Sequence, residues 1–78
     1  METKKNVIKV ISSFAIVEEE NILESDKFID IGIDSLKIVE LIIGIEDFFH
    51  IRFMESDLEP TKLTTVETII SLVNKYIC

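Results

Sequence analysis

The chain has little of the chemistry from which catalytic or metal sites are assembled. Among its 78 residues there are one cysteine, one histidine and no tryptophan. One cysteine excludes an internal disulfide, and one thiol with one imidazole cannot supply a histidine- or thiolate-based metal site. We therefore predict no metal centre and no catalytic residues, and a reducing, cytoplasmic setting fits this cysteine usage.

Residues that break regular structure are also scarce, with two glycines and one proline. So few breakers argue against an all-β fold, and a hydrophobic content of 47% argues against disorder. The length suits one domain, which we assign to residues 1–78.

Basic residues are outnumbered, eight lysines and arginines against 15 acidic residues, for a net charge of −7. This balance argues against binding to nucleic acid or anionic membranes, because phosphate contacts need a basic patch. No apolar run approaches the ~20 residues that a membrane span requires. We expect a monomer whose partners have basic docking surfaces.

The apolar residues of the chain recur mainly at helical spacing. This spacing predicts a first helix over about 3–16, a second over about 35–49 and a weak short element over about 55–58 that ends at Pro60. The last helix is predicted to open with a capping box, Thr64 followed by Glu67. The prediction is an all-α, small four-helix bundle with a short third helix and a long loop, residues 21–34, between helices 1 and 2.

The apolar pattern also predicts which side chains enter the core. In the long loop these are Ile22, Leu23, Phe28 and Ile31; on the second helix they are Ile38, Leu41, Ile42, Ile45 and Phe49. Phe28, Ile45, Phe49 and Ile69 should be buried together. His50 is expected at a helix end, and Gly44 has no evident reason in the sequence.

Ser35 stands where an acidic, glycine-containing loop turns into the second helix. Its hydroxyl has two possible uses: it can cap the helix by accepting a backbone hydrogen bond, or it can carry a covalent phosphate. The first turn of a helix tolerates an anion because of its free N–H groups and the positive end of its dipole. The chain offers no base to activate this serine, so we do not expect a catalytic nucleophile.

The residues around Ser35 form a recognisable motif. Gly32, Asp34, Ser35 and Leu36 fill the fixed positions of Gly-x-Asp-Ser-Leu, and residues 26–36, DKFIDIGIDSL, are similar to a longer version of it. On this evidence the chain resembles the acyl and peptidyl carrier proteins, from Val7 to Ile77. The resemblance implies a 4′-phosphopantetheine arm on Ser35, transferred from coenzyme A by a separate phosphopantetheinyl transferase, with Asp34 supporting the transfer.

The resemblance further implies that the chain is no enzyme but a shuttle that presents cargo as a thioester. Its expected partners are an acyl- or aminoacyl-loading (adenylating) enzyme and downstream synthase, condensation or transferase enzymes. The predicted docking surface lies on the second helix beside Ser35 and consists of Leu36, Lys37, Glu40, Ile43 and Asp47.

The pathway is open at this point. Lys37, the short spacing from Phe28 to Gly32 and the stretch at 57–60 resemble free-standing carriers of secondary metabolism, for polyketides, nonribosomal peptides or similar products. The alternative is a housekeeping carrier of fatty-acid synthesis, since Glu40, Glu46 and Asp47 match such proteins. A third reading, from another class, is an unmodified acidic helical interaction module in which Ser35 only caps the helix.

Overall fold

The structure is a computed structural model that describes residues 2–59 and 61–77. It contains three α-helices: α1 is Glu2–Ser12, α2 is Ser35–Phe49 and α3 is Val66–Ile77. Three single turns of 3-10 helix join them, at Glu19–Asn21, Phe28–Ile31 and Glu55–Asp57. The all-α class and the long first loop are confirmed, and the short third helix is one 3-10 turn. Pro60, predicted to end that element, and Cys78 lie outside the described residues.

The core draws on all three helices and on the loops between them. Its buried apolar side chains are Val7, Ile11, Ile22, Phe28, Ile31, Ile33, Leu41, Ile45, Phe53, Leu63, Val66, Ile69, Ile70 and Val73. Within the described part of the chain no polar or charged residue is buried. Burial of these apolar side chains is the main term that stabilises so small a domain.

Four of the predicted core residues need correction, and two of these, Ile38 and Ile42, are only partly buried. Leu23 is 61% exposed rather than an anchor of the loop, and Ile33, which was not predicted, is buried in the core. Phe49 is only partly buried, although it packs against the core cluster. It ends α2 and its ring stands edge-on to the half-exposed Phe48, with ring centroids 5.0 Å apart.

Helix α1 ends at Ser12, four residues earlier than predicted. The Ser12 hydroxyl donates to the Lys9 carbonyl at 2.7 Å. It thereby competes with the backbone N–H that would bond to this carbonyl if the helix continued. The N–H of Ile16 then donates to the Ile31 carbonyl at 2.9 Å. The apolar residues after Ser12 therefore belong to a segment that is bonded to the second 3-10 turn.

The cap of α3 also differs from the prediction. Thr64 and Glu67 do not form the capping box; Thr65 and Thr68 exchange backbone-to-hydroxyl hydrogen bonds of 3.3 and 3.4 Å instead. Thr64 is unsuited to this role because its carbonyl accepts from the N–H of Phe28 at 3.0 Å. The cap therefore starts one residue later.

The long loop is pinned to the start of α3 by backbone hydrogen bonds. The N–H of Val66 donates to the Asp26 carbonyl at 3.0 Å, and that of Glu67 donates to the Glu24 carbonyl at 2.9 Å. These N–H groups lie in the first turn of α3, where no intrahelical acceptor exists. The loop thus supplies their acceptors and is held in place just before the second 3-10 turn.

Gly44 and His50 find structural explanations. A Cβ on Gly44 would lie 3.4 Å from the ring of Phe14, just after α1, and 3.7 Å from Cγ1 of Val10 on α1, so α1 and the segment after it approach α2 closely here. His50 stands at the end of α2 as expected, in left-handed conformation with φ 56°, and its N–H donates to the Glu46 carbonyl. No described helix is both long enough and apolar enough to cross a bilayer.

Candidate functional site

Gly32 makes the turn that leads into α2. Its φ is +86°, a left-handed conformation that side chains disfavour, and its N–H closes the second 3-10 turn. A Cβ here would lie 2.6 Å from Cγ2 of Ile16. Only glycine fits both the angle and the space. The next residue, Ile33, is then buried, which fixes the point where the chain enters the helix.

Asp34 caps α2. Its Oδ1 accepts from the N–H of Leu36 at 3.1 Å and from that of Lys37 at 2.9 Å, and its carbonyl accepts from Ile38 at 2.9 Å. A carboxylate at this position satisfies free N–H donors and complements the positive end of the helix dipole. The capping role that Ser35 could have taken is therefore filled by its neighbour.

Ser35 is the first residue of α2 and is exposed. Among residues 2–59 and 61–77 the Ser35 hydroxyl makes no side-chain hydrogen bond, and so none to a histidine or carboxylate that could act as its base. The hydroxyl is thus presented to solvent without being activated. This arrangement suits an acceptor for a group that another protein transfers, and an exposed Oγ at a helix N-terminus leaves room for an anionic substituent.

The predicted docking residues share the outward side of α2. Leu36 and Ile43 are 78% and 52% exposed, and Lys37, Glu40 and Asp47 are exposed as well. Val39, 55% exposed, also belongs to this surface and was missed. Its spacing of three and four residues from the two apolar docking positions is the signal that could have identified it.

An apolar cleft of about 700 Å³ opens beside Ser35. Its apolar lining consists of Phe28, Ile29, Ile33, Ile38, Val39, Ile42, Ile43, Leu58 and Leu63. Lys27, Asp34, Ser35, Glu46 and Thr64 add polar groups. The sequence did not reveal this cleft because its walls come from the long loop, from α2 and from the segment before α3.

The wall formed by the segment before α3 is tied to two helices. At its start the N–H of Phe53 donates to Oε2 of Glu46 on α2 at 2.8 Å. Phe53 is buried, and the ring of Tyr76 stands edge-on to it with centroids 5.0 Å apart. This aromatic pair joins the segment to the last turn of α3.

The Tyr76 hydroxyl holds the third 3-10 turn from both sides. It accepts from the N–H of Met54 at 2.7 Å and donates to the carboxylate of Asp57. The hydrogen bond from Tyr76 lowers the pKa of Asp57, and the same bond raises the pKa of Tyr76. Lys75 Nζ lies 3.4 Å from Asp57 Oδ1, but this pair is exposed on the lysine side and adds little.

Metal-binding geometry is not found in the part of the chain that the structure describes. Across those residues no three side chains of histidine, cysteine, aspartate or glutamate come together to hold an ion. The site therefore consists of Ser35, which is exposed and does not cap the helix, the capping carboxylate of Asp34, a helix face with apolar and charged residues, and an apolar cleft.

Comparison with known proteins identifies a family and two groups of similar proteins. The family model described as phosphopantetheine attachment site matches residues 5–73. The chain is 34% identical over 77 residues to a chloroplastic acyl carrier protein of Brassica napus, covering 97% of this chain and 56% of the relative. It is 40% identical over 72 residues to the acyl carrier protein of Buchnera aphidicola, covering 91% and 89%.

Two solved structures have a similar fold. One is a carrier protein from Agrobacterium tumefaciens in complex with an engineered Bradyrhizobium japonicum glycine:[carrier protein] ligase and ATP. The TM-score is 0.82, the identity 20%, and the match covers 94% of this chain and 97% of that one. The other is the cognate carrier protein of the Bradyrhizobium japonicum ligase, with a TM-score of 0.72, 23% identity and coverage of 92% and 96%. At these identities the similarity concerns the fold.

Proposed function

Because the chain belongs to the carrier protein family with a phosphopantetheine attachment site, we propose that Ser35 carries the 4′-phosphopantetheine arm and that the chain shuttles acyl or aminoacyl thioesters. The observation that supports this most strongly is the division of roles at the start of α2. Asp34 caps the helix, and the neighbouring hydroxyl is exposed. When attached, the arm supplies a terminal thiol on which cargo is held as a thioester.

The attachment is a transfer reaction in which Ser35 is the acceptor. Its Oγ forms a bond to the phosphorus nearest the pantetheine of coenzyme A. The P–O bond of the pyrophosphate breaks, and adenosine bisphosphate leaves with the bonding electrons. The hydroxyl proton passes to a base of the transferase, because no base among the described residues is hydrogen-bonded to the Ser35 hydroxyl. The dipole of α2 favours the negative charge that then remains at its N-terminus.

The test is the intact mass after incubation with coenzyme A and a broad-specificity phosphopantetheinyl transferase. Wild-type protein should gain one arm, Ser35→Ala none, and the loop variant Ser25→Ala should behave as wild type. A gain of mass in Ser35→Ala would contradict the assignment. An unmodified wild type would favour the interaction module, although that reading gave Ser35 a capping role that Asp34 fills in the structure.

Asp34 is proposed to support the transfer with its second carboxylate oxygen. Oδ1 is engaged by the helix, whereas no partner of Oδ2 is found in the described residues. Asp34→Asn separates the two roles, because asparagine caps a helix about as well as aspartate and lacks the charge. We expect slower transfer at a nearly unchanged melting temperature. Transfer at the wild-type rate would confine Asp34 to capping.

Partner enzymes are proposed to dock on the exposed face of α2. It combines apolar and charged residues beside the attachment site: Leu36, Lys37, Glu40, Ile43 and Asp47. Exposed acids steer a basic partner at low ionic strength, whereas the apolar residues gain contact area once it has docked. Lys37 would repel a partner that places a basic residue opposite it, which restricts the choice of partner.

For the cargo, we propose loading by a dedicated adenylating or acyl-loading enzyme in a secondary-metabolic pathway. This rests on Lys37, on the short spacing in the loop and on residues 57–60. Fatty-acid synthesis is the second candidate, favoured by the acyl carrier protein relatives and by the apolar cleft, where an acyl chain could lie. Competitive loading decides: efficient malonylation that restores fatty-acid elongation, without loading by adenylating enzymes, would establish the second candidate.

The cellular setting belongs to the proposal as well. A cytoplasmic, monomeric carrier remains the expectation from the sequence. Its relatives include chloroplastic proteins, of whose length the chain spans about half. Fractionation of the source cells tests the cytoplasmic location, and light scattering of the purified protein tests the monomeric state.

A further inference from the structure

One wall of the cleft has little regular structure to hold it. Leu58 lines the cleft and directly follows the third 3-10 turn, Glu55–Asp57. Two backbone hydrogen bonds of this turn stay within the segment, from Asp57 to Met54 at 2.9 Å and from Leu58 to Glu55 at 3.1 Å. Such local bonds shape the turn, but they do not fix its position relative to α2 across the cleft.

The start of this segment is bonded to α2 through Phe53 and Glu46, whereas the side-chain attachment of the turn itself comes from α3. The Tyr76 hydroxyl binds Met54 on one side of the turn and Asp57 on the other. The tyrosine ring is in turn held edge-on against the buried Phe53. The Tyr76 hydroxyl therefore joins both ends of the turn to α3, and one of its partners, Asp57, directly precedes Leu58. We call these two hydrogen bonds the tie.

We propose that Tyr76 is a positioning residue for the cleft: through Met54 and Asp57 it holds the Leu58 wall in place and so determines how well an apolar cargo is shielded from water. This inference rests on the proposed function, since the cargo is carried on Ser35. Loss of the hydroxyl releases the wall and exposes the cargo. A cargo too short to reach the cleft is unaffected.

The test compares two thioesters on the modified protein, octanoyl and acetyl, by their rates of cleavage by hydroxylamine. In the wild type the octanoyl thioester should react more slowly than the acetyl one. Tyr76→Phe keeps the ring and removes the hydroxyl, and it should reduce this protection a few-fold while leaving the acetyl rate unchanged. Asp57→Ala should do the same, and the double variant should add little, because both residues act through one tie.

Ile70→Val is the matched control, since it weakens the core from the same helix without touching the tie. It should lower the melting temperature and leave the ratio of the two rates unchanged. The proposal is overturned if octanoyl is not protected in the wild type, if Tyr76→Phe keeps the wild-type ratio, or if Ile70→Val reduces it equally.

A second measurement separates this inference from the proposed function. If Ser35 accepts no arm, the proposed function fails at the loading step. The unmodified variants are then titrated with the apolar dye anilinonaphthalene sulfonate. Stronger dye binding by Tyr76→Phe than by wild type and Ile70→Val supports the positioning role, and equal binding by all three refutes it.

Discussion

Gly32→Ala should destabilise the protein strongly, for two separable reasons. An L-residue in left-handed conformation, here φ +86°, costs about 1–2 kcal/mol. Overpacking adds about 1–3 kcal/mol, because the new Cβ would lie 2.6 Å from Ile16 Cγ2. A central total of ~3 kcal/mol is a large part of the ~5–15 kcal/mol expected for a domain. At about 4–8 °C per kcal/mol for a chain of this size, the melting temperature should fall by about 12–24 °C.

A double-mutant cycle with Ile16→Ala isolates the steric part. Ile16 is 76% exposed, so its truncation alone should change stability by less than about 0.5 kcal/mol. Combined with Gly32→Ala it removes the two γ carbons nearest the new methyl group and should recover about 1 kcal/mol or more. The backbone part should persist. Thermal unfolding followed by circular dichroism measures both, and additive effects would refute the contact between these positions.

The second glycine is a matched control with the opposite expected sign. Gly44→Ala places its Cβ 3.4 Å from the ring of Phe14, an ordinary contact. It also gains about 1 kcal/mol of helix propensity in the interior of α2. The melting temperature should therefore rise by about 4–8 °C. A fall would show that the Phe14 ring and α2 pack too tightly here to admit a methyl group.

Three further predictions concern the core, the tie and the docking face. Ile45→Ala, at a fully buried position, should lower the free energy of unfolding by about 2–5 kcal/mol. Phe49→Ala should lower it by less, because Phe49 is only partly buried. Chemical unfolding that shows the larger loss for Phe49→Ala would contradict the assigned faces of α2. Tyr76 is the only tyrosine, so the ultraviolet absorbance of phenolate follows it alone: its pKa should exceed the ordinary 10.0 and return toward it in Asp57→Ala. The tie should therefore hold above the ordinary pKa of Asp57, 3.8, weaken as the pH falls through the lowered value, and be lost as the pH rises through the raised pKa of Tyr76. Glu40→Lys should slow arm transfer and flatten its salt dependence at unchanged helicity; a wild-type rate at every salt concentration would place docking elsewhere.

Much of the fold could be predicted because local signals and packing agree along α2. Its predicted range, 35–49, matches the structure, and Leu41 and Ile45 enter the core while Glu40 stays outside. Here helical period, cap and burial point to the same arrangement. The position of Ser35 at the loop–helix junction could be predicted for the same reason.

The errors in the helix boundaries occur where a distant segment competes for a backbone group. Thr64 reads as a cap in sequence, but its carbonyl is taken by Phe28 from the long loop. The segment after α1 reads as helix, but the N–H of Ile16 bonds to Ile31. Tertiary hydrogen bonds of this kind leave no periodic trace in sequence. The same holds for the tie between Asp57 and Tyr76, which are far apart in the chain.

The pinning of the long loop to α3 makes the proposed attachment site depend on a helix that comes later in the chain. The carbonyls of Glu24 and Asp26 find their donors only when residues 66 and 67 have been synthesised and α3 has begun to form. Until then the loop that leads through Gly32 to Ser35 lacks these two bonds and is held by fewer contacts, such as the hydrogen bond from Ile16 to Ile31. A ribosome-bound fragment that stops short of α3 should therefore be a poor acceptor. If Ser35 carries the arm as proposed, its modification should therefore follow the folding of α3, when the walls of the cleft are also in place.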